Sequence, residues 1–227
     1  LVPGNDDAKF IRELAELIRR INGKVQLVVV VGGGKLARYY TGTSAELGAD
    51  TYAQDILGIN TTRINSQLLA LALGGISSIN IPYTAEEAAE LSVPGKVVIM
   101  GGTEPGHTTD AVATMVARCM KADRVVNATS VDAVYSDDPR TNPDAERYDR
   151  ITIGRLSELV YKDHGAGKSS VFDPLGVKIA MEEKIDICMV NGRNLPELEK
   201  AILGEGFTGT FVDSHRSPRS PPNGPSR

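Results

Sequence analysis

The segment Val25-Gln-Leu-Val-Val-Val-Val-Gly-Gly-Gly34 decides the fold of this chain. Its consecutive valines form a β-branched apolar run, which is typical of a strand that is buried on both faces of a parallel sheet. The three glycines that follow leave the backbone free to turn, and a helix is predicted to begin at Lys35. A buried strand that leads through a tight turn into a helix indicates an α/β protein.

The same alternation extends outward from this segment in both directions. Upstream, apolar residues at helical spacing predict a helix over residues 7–21. Downstream, the predicted helices are 59–73, one that opens at Thr84, 110–121, 154–161, 174–183 and 195–203, and the predicted strands are 78–81, 96–100, 124–128, 185–190 and 209–212. Strands joined by helices predict a three-layer α/β/α sandwich with a central, mainly parallel sheet.

Two stretches of the chain carry no apolar pattern of this kind. Residues 164–170 are predicted to form a flexible loop, in which Lys168 is an open candidate for a phosphate contact. Residues 214–227 are rich in Pro, Ser and Arg and contain no core residue, so they are predicted to be a disordered tail. The remaining residues, 1–213, are predicted to form a single domain.

Composition and charge exclude several classes of function. The chain has 227 residues and a net charge of −4, with 5% aromatic residues and no Trp, which disfavours a nucleic-acid-binding surface. It lacks the run of about 18–20 apolar residues that a membrane span needs, and it shows no signal-peptide pattern. Its two cysteines suit a reducing compartment, so a cytoplasmic location is predicted.

Two glycine clusters mark the expected ligand site, because ligands of such sheets bind beyond the carboxyl ends of the strands. Gly32–Gly34 precedes a helix that carries Lys35 and Arg38 in its first turns, and Gly101–Asp110 combines glycines, three threonines and a helix start. Free backbone N–H groups and a helix N-terminus form a suitable cradle for phosphate. The alternative is that the glycines only turn the chain. The Gly32–Gly34 cluster with Lys35 matches neither a Walker A loop nor the dinucleotide fingerprint.

Four motifs together resemble the amino acid kinase family, and within it the UMP kinases of archaeal type. They are residues 28–38, Asp55-Ile-Leu-Gly-Ile with Thr62-Arg63, residues 100–111, and residues 127–139. The resemblance runs from about residue 1 to 212. It implies ATP-dependent phosphorylation of UMP to UDP, with Mg²⁺, in a homohexamer of α/β/α subunits.

The resemblance also implies roles for individual residues. Asp110 resembles an organiser of the transfer site, and Arg63 is a weaker candidate for a phosphate contact. The residues expected to contact UMP are Gly33, Asp55, Thr103, Glu104, Pro105, Gly106, His107, Thr108 and Thr109. The residues expected on the ATP side are Gly34, Arg38, Thr129, Tyr135 and Asp138.

Each of these roles has a structural alternative that the sequence leaves open. Asp55 could be a helix N-cap, and His107 could be a turn residue. Asp110 could be a helix-start charge that is favourable to the helix dipole, and Tyr135 could be a packing residue. The acidic residues within 132–138 lack the spacing and the closing Glu of a calcium loop, so no metal site is predicted there.

The chain departs from the family pattern at its beginning. Family members start with a strand and a Gly-Gly-Ser loop that covers the ATP phosphates, whereas this sequence opens with residues that resemble those just after that loop. The first strand and the loop are therefore expected to be missing. Without an interior strand its neighbours expose unpaired backbone groups, so weak kinase activity and low stability are predicted. A sister phosphotransferase, or a nucleotide-binding protein without turnover, are the other hypotheses.

Overall fold

The computed structural model describes residues 7–137, 139, 141–163 and 171–215. The helices are α1 Asp7–Ile21, α2 Gly34–Glu46, α3 Thr51–Leu73, α4 Ala85–Leu91, α5 Thr109–Met120, α6 Ile153–Asp163, α7 Pro174–Glu183 and α8 Leu195–Leu203. The strands are β1 Leu27–Val30, β2 Val97–Met100, β3 Arg124–Thr129, β4 Val134–Tyr135, β5 Arg147–Tyr148, β6 Arg150–Thr152, β7 Asp186–Asn191 and β8 Thr210–Asp213. Within these residues, no helix is both long and apolar enough to cross a membrane.

Helix α3 is longer than the sequence predicts, because it begins at Thr51 rather than at residue 59. Asp50 is its N-cap and accepts a hydrogen bond of 2.8 Å from the Ala53 N–H. An N-cap of this kind satisfies a backbone donor that the first turn of a helix otherwise leaves without a partner. The N-cap interpretation of Asp55 is therefore wrong, since Asp55 lies inside the helix.

The strand predicted at residues 78–81 is also wrong, since the structure has bends there. The Asn80 N–H donates to the Ser78 hydroxyl over 3.1 Å, and such a local bond competes with strand pairing. The carbonyls of Ile81 and Pro82 accept hydrogen bonds from the Arg63 guanidinium over 2.6 and 2.8 Å. This segment is therefore held by side chains instead of by a neighbouring strand.

The strands form a mainly parallel arrangement, as predicted, but in separate pieces. Strands β1 and β2 pair in parallel as a two-stranded sheet. Strands β3, β7, β8 and β6 form a four-stranded sheet in that order, in which only the β7–β8 pairing is antiparallel. Strands β4 and β5 form a small antiparallel ladder of their own.

Alternate residues of β7 show the three layers directly. Ile187 and Met189 belong to a buried cluster with residues of α6 and α7, whereas Cys188 and Val190 pack with Leu198 of α8. Because successive side chains of a strand point to opposite faces, helices cover both faces of this sheet. The prediction of an α/β/α sandwich is confirmed.

A cavity of about 530 Å³ lies between β1 and β3. Residues 25–32 form one wall and residues 124–130 form the other, while side chains of α1 and α5 also line it. In the part of the chain that the structure describes, β1 pairs only with β2, and β3 pairs only with β7. The cavity therefore separates two strand edges that have no β-partner among these residues.

Candidate active site

The first glycine cluster connects β1 to α2 at the carboxyl end of the strand. Gly33 is the N-cap of α2 and makes no side-chain cap, and Gly34 adopts a left-handed conformation with φ of 62°. A Cβ atom on Gly33 would overlap the side chain of Ala37. The turn therefore requires glycine, and it presents the N–H groups at the N-terminus of α2.

The second glycine cluster follows β2 and packs directly against α3. A Cβ atom on Gly101 would lie 2.5 Å from Thr62 Oγ1 and 2.9 Å from the backbone nitrogen of Arg63. The N–H of the buried Gly102 donates a hydrogen bond of 2.7 Å to Thr62 Oγ1. Glycine is needed here because the helix backbone comes too close for any side chain.

Asp55 and Gly106 are brought together, although the residues lie far apart in the sequence. The Gly106 N–H donates to Asp55 Oδ2 over 2.8 Å, and Gly106 has a positive φ of 86°. The carboxylate of α3 thus holds the loop that contains Thr103, Glu104, Pro105 and His107. The predicted ribose contact and the predicted UMP loop therefore adjoin.

His107 and Thr108 lie at the end of this loop. His107 Nδ1 is 3.1 Å from Glu104 Oε1, within ion-pair distance but without the geometry of a hydrogen bond. The Thr108 hydroxyl caps α5 by accepting from the Ala111 N–H over 3.2 Å, and it donates to Asp173 Oδ2 over 2.8 Å. Thr108 therefore joins the loop both to α5 and to α7.

Asp110 lies in the first turn of α5, where a helix dipole by itself favours the ionised form. Burial, and to a smaller extent the negative charge of Asp173, nevertheless raise the pKa of this carboxyl to about 6. The cost of removing the carboxylate from water thus exceeds the favourable effect of the helix end. A perturbed carboxyl in a cleft is a candidate functional group, so the role of Asp110 in organising the transfer site stays a prediction beside its position as a helix-start charge.

The residues predicted on the ATP side are less tightly grouped. Arg38 is exposed on α2, and Thr129 ends β3, where its carbonyl accepts from the Gly192 N–H over 2.8 Å. Tyr135 donates its hydroxyl to Asp132 Oδ1 over 3.0 Å, and burial together with this bond raises the pKa of the tyrosine. Asp138 and Lys168 lie outside the described residues. The roles of all these residues stay predictions.

Residues from both sides of the candidate site line the same cavity. Gly32, Thr109, Asp110 and Thr129 all line it, and they come from the ends of β1 and β3 and from the start of α5. Arg63, the weaker phosphate candidate, lies elsewhere, since it binds carbonyls and stacks on Tyr83 at 3.7 Å. Among the described residues, no group of three or more His, Cys, Asp or Glu side chains could hold a metal ion.

Three polar residues that contact the loops were given no role in the site by sequence reasoning, although Thr62 stands in one of the four motifs. Thr62 and Asn65 on α3 are nearly completely buried, and Asn65 Nδ2 donates to the carbonyls of Gly32 and Gly33 over 2.9 and 3.2 Å. Asp173 caps α7 and accepts from Thr108. Their partners are distant in sequence, so the spacing of these residues carried no signal.

Residues 2–191 match the sequence model described as "Amino acid kinase family". The chain belongs to the amino acid kinase family. Within that family, it is 40% identical over 209 residues to a protein of Methanobrevibacter smithii named "Uridylate kinase", covering 92% of each chain. A second uridylate kinase, from Archaeoglobus fulgidus, is 42% identical over 210 residues.

Solved structures of this family agree with the fold. A crystal structure of uridylate kinase from Archaeoglobus fulgidus matches with a TM-score of 0.83 at 41% identity, covering 93% of this chain and 97% of that one. A UMP kinase structure from Bacillus anthracis matches with a TM-score of 0.76 at 22% identity, which shows the fold alone.

Proposed function

We propose that this chain transfers the γ-phosphoryl group of ATP to UMP, giving UDP and ADP. The observation that carries the proposal is that Gly32, Thr109, Asp110 and Thr129 line one cavity. These residues adjoin the predicted UMP contacts on one side and the predicted ATP contacts on the other. The uridylate kinase names of relatives at about 40% identity support the same reaction.

The reaction proposed is a direct in-line transfer. An oxygen of the UMP phosphate attacks the γ-phosphorus of ATP, the bond from that phosphorus to the bridging oxygen breaks, and ADP leaves. No side chain acts as a nucleophile. The protein positions the two nucleotides and stabilises the charge of the transferred group through N–H groups at the N-termini of α2 and α5.

ATP is expected to enter as its Mg²⁺ complex. Mg²⁺ commonly keeps several waters and is bound by substrate phosphates with one or two carboxylates. Such binding needs no cage of protein ligands, which fits the lack of a three-residue cluster among the described residues. When bound with ATP, Mg²⁺ would neutralise charge on the ATP oxygens.

Asp110 is proposed to organise the transfer site rather than to act as a base. The UMP phosphate is already ionised near neutral pH, so its attacking oxygen has no proton to give up. A carboxyl with a pKa of about 6 is mainly ionised at pH 7. The negative charge of Asp110 can therefore orient cationic groups and N–H donors around the transferred phosphoryl group.

Two other functions remain as alternatives. One is another phosphotransferase of the same family, acting on a carboxylate, a carbamate or an isoprenoid phosphate. The other is a nucleotide-binding chain whose catalysis is impaired. The contact between Asp55 and the Gly106 loop favours a ribonucleotide, because a carboxylate beside the loop can accept hydrogen bonds from sugar hydroxyls.

A coupled assay of ADP release tests the proposal against both alternatives. Turnover with UMP, at least tenfold above turnover with the other acceptor classes, is the expected result; preference for another acceptor would contradict it. Calorimetric titration with UMP separates the second alternative, since saturable binding without ADP release would identify a binding protein.

The assembly and location of the chain are also proposals. We infer a cytoplasmic homohexamer, as the family resemblance implies. Apolar side chains at helical spacing on α3 are exposed and support self-association, namely Leu57, Ile64, Leu68 and Leu71. Both cysteines are free, which suits a reducing compartment. Sedimentation equilibrium tests the assembly, and a monomer at micromolar concentration would contradict it.

A further inference from the structure

Two buried polar residues of α3, Thr62 and Asn65, contact both glycine clusters at once. They are three residues apart and therefore lie on one face of the helix. Their exposed fractions are 7% and 3%. Each residue bonds a different cluster, so a single turn of α3 contacts both glycine clusters.

Thr62 uses its hydroxyl as donor and as acceptor. It donates to the Ile59 carbonyl over 2.7 Å and accepts from the N–H of Gly102 over 2.7 Å. The orientation of the hydroxyl is therefore fixed by its own helix. The close approach of Gly101 to the same oxygen leaves little room for the second glycine cluster to move relative to α3.

Asn65 holds the first glycine cluster in the same way. Its side-chain amide donates to the Gly32 and Gly33 carbonyls over 2.9 and 3.2 Å. These carbonyls lie at the turn from β1 into α2, where α2 presents its N-terminal N–H groups. A nearly completely buried amide with two backbone acceptors therefore orders this turn.

We propose that Thr62 and Asn65 are positioning residues that set the separation of the two glycine clusters, and with it the alignment of phosphoryl donor and acceptor. The inference rests on the proposed function. In-line transfer is sensitive to distance, because a displacement of about 1 Å can slow a reaction by roughly a hundredfold. Loss of either contact should therefore lower kcat by more than the unfolded fraction of the variant explains.

The neighbouring residue Thr61 supplies a matched control. Thr61 is buried to a similar degree, with 4% exposed, and its hydroxyl bonds only the Leu57 carbonyl of the same helix. Thr62→Val and Thr61→Val thus make the same chemical change at adjacent buried sites. Only the first removes a bond to a glycine cluster and leaves the buried Gly102 N–H without its acceptor.

The test compares kcat, KM and thermal unfolding of these variants, with Thr62→Ser as the conservative rescue. We expect Thr62→Val to lower kcat about tenfold relative to Thr61→Val when both variants are assayed well below their Tm, and Thr62→Ser to recover most of it. Amide hydrogen exchange should become faster at Gly102 in Thr62→Val only. A kcat within twofold of that of Thr61→Val, or a loss explained by the unfolded fraction, overturns the inference.

Asn65→Leu, with Ser66→Ala as its control, tests the other cluster. Ser66 is fully buried and bonds only the Thr62 carbonyl inside α3. We expect faster amide exchange at residues 32–34 and a lower kcat in Asn65→Leu alone; equal behaviour of the two variants contradicts the inference.

The design also separates failure of the inference from failure of the proposed function. If the wild-type chain forms no UDP, the proposed function fails, and calorimetry with UMP then decides the role of Thr62. An affinity at least fivefold weaker in Thr62→Val than in Thr61→Val supports positioning, whereas equal affinities refute it.

Discussion

The two-stranded sheet β1–β2 and the four-stranded sheet β3–β7–β8–β6 are stabilised in different ways. Strand β7 pairs on both sides and its central residues Ile187–Val190 are buried, whereas all four residues of β1 are only half-buried. The half with fewer strand pairings nevertheless carries both glycine clusters. Its loops are held by polar side chains of α3, so the candidate site depends on a few specific contacts rather than on an extended ladder.

The largest effect is expected from closing the cavity between the two sheets. The facing edges of β1 and β3 have no β-partner among the described residues. A fused β-strand and Gly-Gly-Ser loop that enter this cavity should raise UMP-dependent turnover by roughly a hundredfold, since individual N–H donors at a reacting group contribute on that scale. The fusion should also raise Tm by pairing the edges of β1 and β3. The matched control is an extension of equal length with prolines in the strand. Equal turnover and Tm for the two extended chains would contradict this prediction.

A smaller effect, a loss of stability, is expected where the loop after β2 packs most closely against α3. Gly101→Ala would place a methyl group against Thr62 and the backbone of α3, and overpacking of this kind costs about 1–3 kcal/mol of unfolding free energy. Gly206→Ala is the control, because a Cβ atom there meets no atom within 4 Å. Urea unfolding measures both variants, and equal midpoints would show that α3 yields easily.

Asp110→Asn should stabilise the nucleotide-free chain while lowering its turnover. Burial raises the pKa of Asp110 from an ordinary value near 3.8 to about 6, so ionisation opposes folding increasingly as the pH rises between these two values and fully above the higher one. At pH 7 the free energy of unfolding of the variant should be higher by up to about 2 kcal/mol. This figure is smaller than the full pKa shift implies, because the carboxyl keeps some solvent contact. Below pH 4 the gain should vanish. Unfolding at pH 7.5 and at pH 3.5 measures it, and a gain that is independent of pH would contradict the assigned cause.

The smallest effect concerns the two thiols, of which Cys188 lies in the four-stranded sheet and Cys119 lies on α5. Cys188 in β7 is fully buried, and burial raises its pKa to about 11, whereas Cys119 on α5 is half-buried. Since the thiolate is the reactive form, iodoacetamide at pH 8 should label Cys119 at least several-fold faster. Mass spectrometry of the digested protein gives the order, and earlier labelling of Cys188 would indicate that the second sheet opens readily.

Sequence patterns predict the fold well where burial is periodic. The apolar spacing of α1 and the β-branched run of β1 give these elements within a few residues of their observed bounds. The start of α3 is not predictable in this way, because its outer face carries exposed apolar residues such as Ile64 and Leu68 that blur the periodicity. Its N-cap, Asp50, lies in a segment without apolar spacing.

The candidate site is predictable where glycines and threonines are adjacent in sequence. The loop from Thr103 to Thr109 belongs to this class, and so do Gly33 and Gly34. Thr62 and Asn65 do not, since a threonine or an asparagine on a helix gives no sign of a carbonyl or an amide that folding brings to it from another strand. The sequence leads us to expect strands with unpaired edges, but it does not identify them as β1 and β3, because that depends on which strands become neighbours.

The bond between Asp55 and Gly106 has a consequence for how a nucleotide would be received. A carboxylate has two oxygens, so Asp55 can accept a hydrogen bond from a sugar hydroxyl through one oxygen while the other accepts from the Gly106 N–H. Binding of the sugar would then be coupled to the conformation of the loop at residues 103–109, which would wrap the pyrimidine. A ligand without vicinal hydroxyls would leave the second carboxylate oxygen of Asp55 without a sugar partner.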